Sequence, residues 1–180
     1  GARVILIART QEKLLRAQQE FAEAGYTVDI VSVDVCDSAA FEQSVEAIYE
    51  KYQGLDIFVN NAGGGESGPL IDCSVEKFKE IMDFNLTSLF VGTKAAAKCM
   101  KKCGGGVILN GSSFNAILPT AGKSVYSTSK RAILTLTTTF AAELASENIR
   151  VVGYIPGLIA VGRAKDKLER MGKEKLEAEI

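Results

Sequence analysis

Ser113, Tyr126 and Lys130 stand at spacings of thirteen and four within residues 110–130, NGSSFNAILPTAGKSVYSTSK. A tyrosine and a lysine four residues apart share one face of a helix, about one turn from each other. Free tyrosine, with a pKa of about 10, is a poor base at neutral pH. A lysine ammonium fixed beside a phenol favours its ionised form. A serine hydroxyl brought in from a neighbouring strand adds a hydrogen bond to the same substrate oxygen. Such a trio is a proton-transfer device for a carbonyl or an alcohol.

The elements that must position this trio can be read from the apolar pattern. Arg3–Ala8 (RVILIA) is a nearly continuous apolar run, which predicts a strand buried on both faces. A helix is expected over residues 11–24, with Leu14, Leu15, Gln18 and Phe21 at helical spacing and Gly25 ending it. Thr27–Val33 reads as a second strand. Asp37 or Ser38 caps the next helix, which turns Phe41, Val45, Ile48, Tyr49 and Tyr52 inward. Gly54 breaks that pattern before a third strand over residues 55–60.

A long helix is predicted over residues 74–102, carrying Val75, Phe78, Ile81, Met82, Leu89 and Phe90. Residues 107–110 form the fourth strand, the helix bearing Tyr126 and Lys130 runs to about Ser146, and residues 149–155 form the fifth strand. A charged helix over residues 163–178 is expected last. This alternation predicts right-handed βαβ units, a doubly wound parallel sheet and helices on both faces, in one domain over residues 1–180. Sites in such α/β sheets lie beyond the carboxyl ends of the strands. Ala8-Arg9, Asp34-Val35, Asn60–Gly63, Ser112-Ser113 and Pro156-Gly157 all fall there.

Composition narrows the chemistry. Of 180 residues, 47% are hydrophobic and 24% charged, with a formal charge of −1, which offers no electrostatic case for nucleic acid or an anionic membrane. No apolar run has the length of a membrane span. The chain contains no histidine, which excludes Ser-His and Cys-His nucleophilic devices. Cys99 and Cys103 are four apart, but no second ligand pair completes a zinc site, so no metal is expected. The four cysteines are expected to be reduced, in a cytoplasmic protein with no signal peptide.

Asn60-Asn61-Ala62-Gly63, Asn85, Ser113, Tyr126-x-x-x-Lys130 and Pro156-Gly157-x-Ile159 occur in the order found in short-chain dehydrogenases/reductases. The chain resembles that family over nearly its whole length. The resemblance implies a Rossmann-like fold and an oxidoreductase acting on CH-OH groups, in which Tyr126 is the acid/base. It makes Lys130 the residue that tunes Tyr126 and holds the nicotinamide ribose, with Tyr126 also bordering the cofactor. Ser113 then orients the substrate oxygen, and Asn85 supports a water in the proton relay.

The resemblance also places the backbone of Asn60, Asn61, Ala62 and Gly63 beside the adenosine half of a dinucleotide. Pro156, Gly157 and Ile159 are placed near the same cofactor. Asp34 takes the adenine amino group, with the Val35 amide beside it; on its own, Asp34 also reads as a neighbour of a helix cap. NAD enzymes place a carboxylate at the end of the first strand seen here. Ala8 is neutral, and Arg9 is suited to a 2′-phosphate, so NADP is expected over NAD. The alternative for Arg9 is a solvated arginine in a turn.

The chain departs from the family in one large respect. Neither Gly1, Gly25 nor Gly63–Gly65 forms the glycine-rich phosphate loop opening a helix, so the first strand and that loop, about 30 residues of a βαβ unit, are expected to be missing. Their absence predicts unpaired strand edges or a repaired sheet, weak cofactor binding and low stability. Val152 and Val161 stand where the family often has Asn and Thr, and the final strand is also expected to be absent.

The leading expectation is an NADP-dependent interconversion of a small-molecule ketone and a secondary alcohol. Residues 64–70, 114–120 and 158–170 would surround the substrate. Arg163, Lys165 and Lys167 read as a solvated lid face, or as an attractor for an anionic group. The helices near 74–102 and 124–146 imply a homo-oligomer, a dimer or tetramer. The alternative is a non-catalytic binding or assembly subunit, or an inactive fragment, of the same fold. An epimerase or dehydratase using the same tyrosine is the third reading.

Overall fold

A computed structural model describes residues 1–157 and residue 159. The helix expected over 163–178, the substrate-side segment from 160 onward and Leu158 lie outside the described residues. Strand and helix alternate as β1 (Val4–Ala8), α1 (Gln11–Glu23), β2 (Val28–Ser32), α2 (Ser38–Tyr52) and β3 (Ile57–Asn60). Next come α3 (Val75–Met82), a π-helical segment (Asp83–Thr87), α4 (Ser88–Lys102), β4 (Gly106–Gly111), α5 (Ser124–Leu144) and β5 (Ile149–Tyr154).

Local signals set most of these boundaries. Gly25, at φ 82°, closes α1, with the Tyr26 N–H reaching back to the Phe21 carbonyl. The Asp37 carboxylate accepts the Ala40 N–H and starts α2, and the Ser74 hydroxyl does the same for Lys77 at the head of α3. The end of α2 falls two residues before the expected breaker. Gln53 itself takes the left-handed conformation, at φ 53°, ahead of Gly54.

All strand pairs are parallel, but the sheet comes in two pieces. β1 pairs with β2, while β3, β4 and β5 form a second sheet with β4 in the middle. Among the described residues β1 and β3 do not pair, so the facing edges stay open and the sheet is not repaired. This corrects the reading of Arg3–Ala8 as a strand buried on both faces. Val4 is exposed and the rest of β1 only half-buried. In β3 burial alternates: Phe58 and Asn60 are buried, whereas Ile57 and Val59 are 58% and 51% exposed. One face of the three-stranded sheet is covered and the other open.

The covered face carries the core. Phe58, Ile108, Ile149 and Val151 meet Ala95, Ala96, Cys99 and Met100 of α4, with Phe41 and Val45 of α2 outside them. Gly92 allows α4 to come this close, because a Cβ there would lie 2.7 Å from Asn60 Oδ1 and 3.1 Å from the Phe58 ring. On α1 only Leu14 is buried, and Gln18 bonds the Val28 carbonyl at 2.7 Å instead of packing. The predicted helix over 74–102 is not one regular α-helix. Its apolar stripe slips at the π segment, leaving Val75, Phe78 and Phe90 exposed while Ile81 and Leu89 are buried.

Candidate active site

The π segment exists around Asn85, which is fully buried. Its Nδ2 donates to the carbonyls of Ile81 and Gly64, both at 2.8 Å, and its Oδ1 accepts the Gly64 N–H at 2.9 Å. One side chain therefore satisfies the interrupted helix and fixes the loop after β3. Buried amides cost free energy unless bonded, and this one is fully bonded.

Lys130 reaches the same place from α5. The residue is 4% exposed, and its Nζ donates to the Gly111 carbonyl at 2.8 Å. Burial pushes the Lys130 ammonium down from 10.5 to about 8. Its Nζ lies 5.9 Å from the centroid of the Tyr126 ring, one helical turn earlier. Gly63 completes the cluster, since a Cβ there would sit 2.8 Å from Lys130 Nζ and 2.7 Å from Asn85 Oδ1. Only a glycine lets the loop backbone lie this close to both groups.

α5 is fixed against β4 by the Ser112 hydroxyl, which donates to the Lys130 carbonyl at 2.8 Å. Ser113 follows in extended conformation, and its hydroxyl accepts the Asn115 N–H at 3.2 Å. Tyr126 and Ser113 are both half-buried. The Pro156 carbonyl accepts the Phe114 N–H at 3.0 Å, which brings the end of β5 beside the Ser113 loop. Gly157 has open space about it, and Ile159 is exposed.

At the ends of β1 and β2 lies a second cluster. Arg9 Nη1 meets Asp34 Oδ2 at 3.3 Å, and the Arg9 carbonyl accepts the Ser32 hydroxyl. Asp34 also accepts the Cys36 N–H at 3.0 Å. That backbone bond, and then the Arg9 guanidinium, hold its carboxyl below the ordinary carboxylate range. Arg9 is 77% exposed and Val35 packs half-buried against the core. The two residues expected to take different parts of one ligand are thus paired with each other.

Asn60 is turned away from any ligand. Its Nδ2 donates to Thr93 Oγ1 and to Asn110 Oδ1, both at 2.9 Å, and Asn110 Nδ2 donates to Thr137 Oγ1 at 3.0 Å. Only its backbone, with Asn61, Ala62 and Gly63, faces outward, and those three residues are exposed. Sequence reasoning missed Thr93, Asn110 and Thr137. The available signal was a polar residue at a position where the strand or helix pattern demands an apolar one.

A nicotinamide dinucleotide is the group these residues would hold. Exposed small residues at 61–63 and a cation at the end of β1 suit its adenosine half, and the Lys130–Asn85 cluster suits the reacting half. Among the described residues no glycine-rich loop opening a helix is available for the pyrophosphate.

Alternating strands and helices in parallel register define a Rossmann-like α/β protein. The chain belongs to the short chain dehydrogenase family, whose model matches residues 1–172. A 3alpha-hydroxysteroid dehydrogenase of Mediterraneibacter gnavus is 36% identical over 160 residues, 88% of this chain and 64% of that one. An NAD+-bound xylitol dehydrogenase structure superposes at TM-score 0.87 with 29% identity, covering 94% of this chain and 66% of the other. An actinorhodin polyketide ketoreductase variant with NADPH gives TM-score 0.87 and 30% identity, covering 96% and 67%. The chain spans about two thirds of the length of each.

Proposed function

We propose that this chain carries the catalytic residues of an NADP-dependent oxidoreductase that interconverts a ketone and a secondary alcohol. The observation that carries the reading is the convergence of Lys130 Nζ and Asn85 Oδ1 on Gly63, one helical turn from Tyr126. A bound nicotinamide dinucleotide supplies or accepts the hydride. The protein's part is proton handling and orientation. Tyr126 gives its phenolic proton to the carbonyl oxygen in reduction and takes it back in oxidation. Lys130, held by the Gly111 carbonyl, stabilises the charge that develops on the phenol oxygen and offers a donor to the nicotinamide ribose. Ser113 donates to the same substrate oxygen, and Asn85 fixes the loop and supports the relay water.

Arg9 supports NADP over NAD: it is an exposed cation at the end of β1, where Ala8 offers no carboxylate to a ribose hydroxyl. Asp34 then exchanges its arginine for the adenine amino group, with the Val35 amide beside it, and Pro156, Gly157 and Ile159 border the nicotinamide end. Fluorescence titration with NADPH and with NADH tests this directly. Tighter NADPH binding is expected, and tighter NADH binding would overturn the assignment of Arg9. Binding of neither would make the glycine-rich loop decisive and favour the alternative, an inactive fragment or assembly subunit of the same fold. Tyr126→Phe is expected to lower kcat by about 10² to 10⁴ while leaving the NADPH dissociation constant unchanged.

The outer faces of α4 and α5 support a homo-oligomer, a dimer or tetramer. Phe90 is 46% exposed and meets the half-buried Phe140 with ring centroids 6.2 Å apart and ring planes tilted at 46°, with Lys94, Lys98 and Glu143 around them. A partly exposed aromatic pair rimmed by charge has the composition of an interface centre with a polar rim. Phe90→Glu should convert the assembly to a smaller species in sedimentation velocity; an unchanged profile would place the interface elsewhere.

A further inference from the structure

The carboxyl ends of β3, β4 and β5 form one rung. Asn60 pairs with Asn110, and Gly111 pairs with Tyr154, so Asn61, Gly111 and Tyr154 lie side by side just past the helix-covered layer. Asn60, Asn110 and Val151 turn toward α4 and α5, so the strand alternation sends Tyr154 to the opposite, open face. There its ring crosses the middle strand. A Cβ on Gly111 would lie 2.8 Å from the Tyr154 oxygen and 3.1 Å from Cζ, so glycine alone leaves the passage. Beyond it the Tyr154 hydroxyl donates to Asn61 Oδ1, a bond joining residues 93 apart in sequence.

We propose that Tyr154 is a positioning residue of the dinucleotide site: by holding Asn61 across Gly111, it sets the shape of the Asn60–Gly63 loop that receives the adenosine half of the cofactor. Four observations converge on this role. Asn61 is exposed apart from this bond, so the phenol is its only side-chain partner among the described residues. With Oδ1 engaged, the Asn61 amide N–H₂ is turned outward as a donor. Gly111 serves both sides of the site, since its carbonyl anchors Lys130 Nζ while its missing side chain admits Tyr154. Burial pushes the Tyr154 phenol up, which keeps it a protonated donor across the neutral range.

This inference rests on the dinucleotide reading above, and the test separates the two. Tyr154→Phe removes the hydroxyl and keeps the ring. In the free protein it should shift the Asn61 side-chain amide and the Ala62–Gly64 backbone amides in ¹H–¹⁵N spectra. It should weaken binding of NADPH, or of NADH if that is the ligand, by about fivefold, with kcat at saturating cofactor unchanged. The double variant Tyr154→Phe/Asn61→Ala should bind no more weakly than Asn61→Ala alone. Unmoved amides, an unchanged dissociation constant or additive losses would each overturn the inference. Flat titrations of the unsubstituted chain would instead sink the dinucleotide reading and this inference with it. Should Tyr154→Phe fail to fold, Asn61→Ala, a change in an exposed loop, carries the test: unchanged cofactor binding there overturns the role.

Discussion

At Gly63 a single methyl group would intrude on two charged or polar ends at once, the Lys130 ammonium and the Asn85 carbonyl. The lysine end can shift, whereas Asn85 is held by three hydrogen bonds. Gly63→Ala is therefore expected to cost about 1–3 kcal/mol of stability and to displace Lys130, lowering kcat more than cofactor affinity. Calorimetry and steady-state kinetics on the same preparation check this. Lys130 makes a second prediction through its proton. Folding lowers its pKa from 10.5 to about 8, so across that window the unfolded chain binds more protons than the folded one. Stability should rise with pH from about 8 to 10.5 on account of this group, and Lys130→Met should remove that rise in urea titrations at stepped pH. The placement of Tyr126 and Lys130 on one face of α5 was legible because their spacing states a geometry: four residues are one helical turn. Tyr154 was not, because nothing local says that a residue on β5 will cross an intervening strand to meet a loop 93 positions earlier.

Between α3 and α4 the main chain takes a wider turn, and the reason is Asn85. A continuous α-helix would leave its amide without the Ile81 and Gly64 carbonyls. Asn85→Leu is expected to cost about 2–4 kcal/mol, because the part-buried Gly64 N–H and carbonyl and the buried Ile81 carbonyl all lose their partner. Differential scanning calorimetry measures that loss. A rise in hydrogen exchange confined to residues 63–66 and 81–88 would locate it, and protection unchanged in both segments would contradict the account. The helix itself was readable from its apolar recurrence at three and four. The irregular turn inside it was not, since a polar residue within the stripe signals a partner without naming it. The burial of β1 was misjudged for a related reason. An apolar run identifies a strand, but whether one face or two are covered depends on elements far away in sequence.

For the molecule as a whole, the division of the sheet matters most. α1, β1 and β2 form one parallel unit, and β3, β4 and β5 with α4 and α5 form another, joined through α2, which packs on α4. No strand hydrogen bonds link the two sheets among the described residues, so their stabilities are free to differ. Amides of β1 and β2 are expected to exchange faster than those of β4, which is paired on both sides. Equal protection would show that the two units open together. The parallel βαβ order was visible in the sequence from end to end. The open edges followed from reasoning about a resemblance, and no periodicity in the chain announces them.

The hydrogen bonds from Thr93 through Asn60 and Asn110 to Thr137 carry a further consequence for how the strands find their alignment. Aliphatic strands tolerate a slip of two residues, because such a slip returns every side chain to the same face. Here that slip would set Asn60 opposite Ile108 or Ser112 and Asn110 opposite Ala62 or Phe58, breaking the bond between the two buried carboxamides. The network thus acts as an index mark, penalising misaligned pairings more than it strengthens the correct one. A double replacement of Asn60 and Asn110 by leucine would keep much of the stability of the sheet and lose the singularity of its pairing.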